Sequence, residues 1–228
     1  MTISLSDAGK RFNRDWIFRH FNYTFEAGRS YAITGPNGSG KSTLLQALSG
    51  GMMLSEGKIK YEVGSTKSEV GGQKSEVGGQ KSEVGSKKSE IATEVIYQQV
   101  SICAPYLEVV EEMTLKEFLD FHNGFKPFLP GITTDLIITT VGLEKAVNKQ
   151  IRYYSSGMKQ RVKLAQCIFS ASSIVLLDEP CTNLDAVGIA LYHRLINEYC
   201  KDRLVVVSSN DEVEYSFCGE KVNMGDYK

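Results

Sequence analysis

Gly35-Pro36-Asn37-Gly38-Ser39-Gly40-Lys41-Ser42-Thr43 satisfies the spacing G-x-x-x-x-G-K-[ST] at every fixed position. Before it, Tyr31-Ala32-Ile33 is a brief apolar run ended by a glycine. After it, Leu44, Leu45 and Leu48 recur at helical spacing. The stretch therefore reads as strand, loop and helix. Glycines let backbone N–H groups turn inward around phosphate oxygens, and a helix N-terminus directly behind the loop adds its dipole. Lys41 is placed to reach the β- and γ-phosphates of a nucleotide, and Ser42 to ligate Mg²⁺. A turn that merely contains a lysine is a poor account of so complete a match in that setting.

Outward from the loop, the runs 174–177 (Ile-Val-Leu-Leu) and 204–207 (Leu-Val-Val-Val) are continuous, rich in β-branched residues and bounded by polar turns. Strands covered on both faces of a parallel sheet have that composition. Residues 187–199 between them read as a helix. Residues 3–5 and 16–25 alternate apolar and polar positions as short, largely antiparallel strands do. Alternating strands and helices predict an α/β fold: a nucleotide-binding core with a mainly parallel sheet, an antiparallel β lobe and an inserted helical lobe. The core is assigned to residues 1–60, 91–104 and 161–228, and the helical lobe to 105–160, with helices over 114–122 and 133–141 separated by Pro127, Pro130 and Gly131.

Residues 61–90 contain a seven-residue repeat: YEVGSTK, SEVGGQK, SEVGGQK and SEVGSKK. One valine per unit (Val63, Val70, Val77, Val84) and up to two glycines cannot build a coiled-coil seam. With almost no apolar surface, the repeat reads as a solvated, flexible insertion. Lengthening a loop from about eight to about 32 residues costs only roughly 1.2 kcal/mol of closure entropy, so it is tolerable without a function.

The 228 residues are 42% hydrophobic and 23% charged, with a net charge of -1. That is the composition of one large globular domain, and it offers no basic field for direct nucleic-acid binding. No apolar run is long enough to span a bilayer and the first residues lack a signal peptide's apolar stretch, so a cytoplasmic chain is expected. Cys103, Cys167, Cys181, Cys200 and Cys218 show neither zinc-ligand spacing nor a disulfide framework.

Asp178-Glu179 closes the buried strand 174–177. There the aspartate can hold the metal's water shell, and the following carboxylate can orient an attacking water. An acidic pair at the end of a strand is ordinary in α/β proteins; combined with the phosphate loop it becomes a catalytic arrangement.

With these residues in place, the segment 154–161 (YSSGMKQR) resembles the signature motif of the ATP-binding cassette family, LSGGQ followed by a QR-containing helix. Ser155 and Gly157 match outright, while Tyr154, Ser156 and Met158 depart from Leu, Gly and Gln. Asn183-Leu184-Asp185 resembles the family's D-loop, and the order and spacing of motifs agree across nearly the whole chain. The resemblance implies an ATPase with ATP and Mg²⁺ as its ligands. It implies a head-to-tail pairing, as a homodimer or with another cassette, in which Ser155, Ser156, Gly157, Met158 and Asp185 of one subunit close on ATP held by the other. It also implies an aromatic residue that stacks on adenine, either Phe12 or its rival Trp16. Two positions depart from the family pattern. Asn210 stands where the switch histidine is expected, and Tyr106 where the Q-loop glutamine is expected, Gln98 and Gln99 being too early. The departures imply either hydrolysis slower than in typical members or a different coupling of the helical lobe. The function this implies is a subunit, peripheral on the cytoplasmic face of the membrane, that powers a transporter through separate integral membrane subunits. The alternatives are a soluble cassette that switches a protein or nucleic-acid machine, and a cassette that binds ATP with little turnover.

Overall fold

The computed structural model describes residues 1–64 and 88–228. The first sheet is antiparallel. It is built from β1 (Thr2–Phe12), β2 (Asp15–Glu26), β4 (Glu56–Gly64) and β5 (Lys88–Ile91) in the order β2-β1-β4-β5, with β3 (Ser30–Thr34) leaving it for the second sheet. The register of β1 against β2 slips between Leu5 and Ala8 and again near Lys10, where Asp7 and His20 take left-handed backbone angles of 47° and 53°. Such bulges strengthen the local twist of the lobe.

The second sheet is parallel throughout. After β3 the chain enters α1 (Lys41–Leu48), and later adds β6 (Val100–Cys103), β7 (Ile174–Asp178), β8 (Leu204–Ser208) and β9 (Glu220–Asn223) in the order β6-β7-β8-β3-β9. Every residue of β7 and β8 is buried. Val175, Leu177, Val205 and Val207 face one apolar cluster with the helices of the second lobe. Ile174, Leu176, Leu204 and Val206 face another, shared with α1 and the antiparallel sheet. The strands read as uniformly apolar runs because both of their faces are covered.

The helical lobe holds α2 (Leu115–Phe125) and α3 (Thr134–Thr140), and α4 (Ser156–Phe169) leads from it back to the sheet. Thr114 and Glu117 form a reciprocal capping box at the start of α2, and Thr133 caps α3. Helix α5 (Ala186–Tyr199) joins β7 to β8, and the single turn α6 (Glu212–Tyr215) precedes β9. The boundary expected at residue 160 falls inside α4, so one helix belongs to both lobe and core.

The β lobe reaches further into the repeat than the composition indicates. Residues 61–64 extend β4 and residues 88–90 lie in β5, paired Tyr61 to Ile91 and Val63 to Ser89. Tyr61 is wholly buried in the cluster over α1, and its hydroxyl donates to the Ala47 and Leu48 carbonyls. Its large apolar ring makes the first repeat unit a core strand. Residues 65–87, which hold the rest of the expected flexible insertion, lie outside the described residues.

Candidate functional site

The carboxyl ends of β3, β8 and β7 lie side by side in the sheet, so three segments distant in sequence open on one crevice. In open α/β sheets that edge is where ligands bind. The β3 end leads into the loop 35–40, where Gly35, Gly38 and Gly40 have φ angles of 139°, 77° and 100°. A Cβ on Gly40 would lie 2.5 Å from Cγ2 of Ile17 in β2, and one on Gly35 would lie 2.8 Å from Oγ of Ser39. The loop is thus held against the β lobe in a shape only glycine allows. No side chain caps α1 at Gly40, which leaves its first N–H groups for an anion.

Lys41 is buried and folds back along the loop, its Nζ donating to the carbonyls of Gly35 at 2.8 Å and Pro36 at 3.4 Å. Asn210, beyond the end of β8, spans the loop from the other side. Its Oδ1 accepts from Gly35 N–H at 3.3 Å and its Nδ2 donates to Asn37 Oδ1 at 3.2 Å. Asp178 ends β7 in register with Ser208 and is buried, whereas Glu179 is exposed with a left-handed φ of 44°. The buried hydroxyls of Ser39 and Ser208 have no hydrogen-bond partner among the described residues.

Unpartnered hydroxyls, an uncapped helix and a loop of three positive-φ glycines, two of them with no room for a Cβ, fit a phosphate chain. Among the described residues no group of three or more His, Cys, Asp and Glu side chains could hold a metal. A cation here would rest on Ser42, the Asp178 carboxylate and the phosphates themselves. That oxygen-only, mostly borrowed shell is the kind Mg²⁺ accepts.

Phe12 and Trp16 differ in availability. Trp16 lies between guanidiniums, Arg19 at 4.5 Å and Arg11 at 5.5 Å from its ring. Phe12 is 47% exposed at the end of β1, with Lys10 over it at 5.2 Å. Tyr106 stands near Gln46 of α1 and Asp178; burial pushes its phenol pKa up, against a hydrogen bond with Gln46.

The segment 154–158 lies apart from this crevice. Ser155 caps α4, its Oγ accepting from Met158 N–H at 3.3 Å. Tyr154 is buried and donates to Ala146 C=O at 2.8 Å. Ser155, Ser156, Gly157 and Met158 share an open groove of about 610 Å³ with Arg161, Asn183 and Asp185. Asp185 caps α5 through Gly188 N–H at 2.8 Å, and a Cβ on Gly157 would lie 2.9 Å from Asn183 C=O. Ser155 to Met158 and Asp185 thus form one surface, and the phosphate loop, Asp178, Glu179 and Asn210 another. Sequence reasoning gave Gln160 no role beyond its place in the QR-containing helix and passed over Glu214; both bind the backbone just after Glu179, and neither side chain carries a local signal of its partner.

The family model described as ABC transporter matches residues 18–182. An uncharacterized ABC transporter ATP-binding protein of Bacillus subtilis is 28% identical over 230 residues, covering 97% of this chain and 92% of that protein. The lantibiotic transport ATP-binding protein SrtF of Streptococcus pyogenes is 24% identical over 221 residues, covering 93% and 82%. The solved structure of a putative ABC transporter ATP-binding protein from Pyrococcus furiosus superposes with a TM-score of 0.75 at 19% identity over all of both chains.

Proposed function

This chain belongs to the ABC transporter family, and from that premise we propose that it is the ATP-binding and ATP-hydrolysing subunit of a transporter whose membrane-spanning subunits are separate chains. No helix among the described residues is long and apolar enough to cross a membrane. The relatives named as transport ATP-binding proteins match nearly this whole chain, which favours a subunit on the cytoplasmic face over a cassette that switches another machine.

The observation that carries the reading is the glycine cradle with Lys41 inside it and Asp178-Glu179 at the end of β7, across β8 on the same edge of the sheet. In this reading the N–H groups of 38–43 and Lys41 hold the β- and γ-phosphates, and Phe12 packs on the base. Ser42 and Asp178 hold Mg²⁺, which neutralises phosphate charge when bound. Glu179 orients and polarises the attacking water. Asn210 reaches the γ-phosphate region as a neutral donor, without the charge or the titration of an imidazole, so turnover is slow for the family. Ser155, Ser156, Gly157, Met158 and Asp185 lie on a separate open surface. That separation supports a head-to-tail dimer in which they close on the ATP of the opposing subunit.

The test is ATP hydrolysis by the purified chain and by Lys41→Ala. Loss of the lysine removes positive charge where phosphate charge develops, and turnover falls by about a hundredfold or more. Parental turnover in Lys41→Ala refutes the assignment.

A further inference from the structure

The turn that carries Glu179 is strained, because a residue with a side chain keeps φ 44° only where its surroundings hold it there. Glu179 N–H donates to Ser208 C=O at 2.9 Å, and its own C=O accepts from Thr182 N–H at 3.2 Å. The following peptide, Pro180–Cys181, is gripped at both ends by side chains. Its C=O accepts from Gln160 Nε2 at 2.7 Å, and its N–H donates to Glu214 Oε1 at 2.7 Å. Gln160 and Glu214 are 4% and 5% exposed.

The two grips come from different places. Gln160 stands on α4, five residues beyond the Ser155 cap, and Glu214 stands on α6, four residues beyond Asn210. We propose that Gln160 and Glu214 are positioning residues: they clamp the Pro180–Cys181 peptide, aim Glu179 at the γ-phosphate, and tie the 155–158 surface and the Asn210 segment to the same turn. The proposal rests on the reading of Glu179 as the hydrolytic carboxylate.

The clamp has a polarity. Gln160 meets a carbonyl and must donate, whereas Glu214 meets an N–H and must accept. Burial raises the Glu214 carboxyl pKa, and the carboxylates of Asp211 and Glu179 act in the same direction, against hydrogen bonds from Ser209 and the Cys181 N–H. A neutral amide at 214 therefore reproduces what the site uses. A carboxylate at 160 places an acceptor against an acceptor.

Glu214→Gln and Gln160→Glu are matched isosteres that separate positioning from mere filling of space. Turnover and equilibrium binding of a non-hydrolysable ATP analogue are measured for both, beside the parental chain, Glu214→Met and Lys41→Ala. Glu214→Met, which removes the acceptor, is expected to lose about ten- to a hundredfold in kcat, and Glu214→Gln, which keeps an acceptor for Cys181 N–H, to recover most of that loss. Gln160→Glu is expected to lose about ten- to a hundredfold, the range a misplacement near 1 Å produces. Analogue affinity stays within about twofold in all three, since neither residue touches the phosphate loop. Gln160→Met, which removes the donor without adding an acceptor, serves if Gln160→Glu does not fold, and it too must lose turnover. Equal kcat in the two isosteres, parental kcat in Gln160→Met or Glu214→Met, or a fall in analogue affinity parallel to kcat overturns the clamp alone. Absence of parental turnover removes the reading of Glu179 and the clamp with it.

Discussion

Gly40→Ala tests the physical origin of the phosphate loop. At φ 100° an L-residue is strained, about 1–2 kcal/mol on the scale of a left-handed backbone. The new methyl would also lie 2.5 Å from Ile17 Cγ2. That atom belongs to a β-branched side chain with a stiff χ1, and the Ile17 carbonyl lies behind it at 3.5 Å. Overpacking of this kind adds about 1–3 kcal/mol. The sum, about 2–5 kcal/mol, lowers Tm by about 4–20 °C for a chain of this size. Gly38→Ala is the control: its φ is 77° and nothing lies within 4 Å of the added carbon, so only the backbone cost of about 1–2 kcal/mol remains. Thermal unfolding of both variants, and of Ile17→Ala in the parental and Gly40→Ala backgrounds, completes a cycle in which the steric part appears as a coupling of about 1–3 kcal/mol. If the loop instead yields, one charge-assisted hydrogen bond to phosphate is lost and ATP affinity drops about ten- to a hundredfold. Equal destabilisation by Gly38→Ala and Gly40→Ala, with no coupling to Ile17, refutes the reasoning.

Two further outcomes are expected. Glu179→Gln keeps the size of the side chain but removes the carboxylate, so turnover falls about a hundredfold or more while Mg-ATP converts monomer to dimer in light scattering; a chain that stays monomeric contradicts the homodimer. His122 sits 2.8 Å from Ser170 Oγ and 3.2 Å from Gln166 Nε2, and burial, then Lys126, lowers its pKa below the ordinary 6.5. Its contribution to stability is therefore present above 6.5 and lost as pH falls through the depressed folded value. His122→Gln should flatten the dependence of Tm on pH over that interval, and an unchanged slope would show that other groups drive it.

What was legible in the sequence is what local physics demands. The phosphate loop can be read because positive φ at Gly35, Gly38 and Gly40 excludes other residues. The strands at 174–177 and 204–207 can be read because covering both faces removes every polar side chain. The starts of α2 and α3 announce themselves through Thr114 and Thr133, which cap within three residues. The fate of Tyr61 was less legible: glycine and charge in the repeat hid a ring that only the packing of β4 over α1 brings into the core. Asn210 could be aligned with a family position, yet nothing local says that its amide bridges Gly35 and Asn37. Gln160 and Glu214 carry no periodic or capping signal at all. Their partner peptide lies 20 and 33 residues away along the chain; Glu214 reaches it because β7 and β8 are neighbours in the order β6-β7-β8-β3-β9, and Gln160 because α4 packs against β7. Periodicity and backbone constraint act over a few residues and leave their mark in the sequence. The partner of a buried polar group is decided by which elements the fold sets side by side.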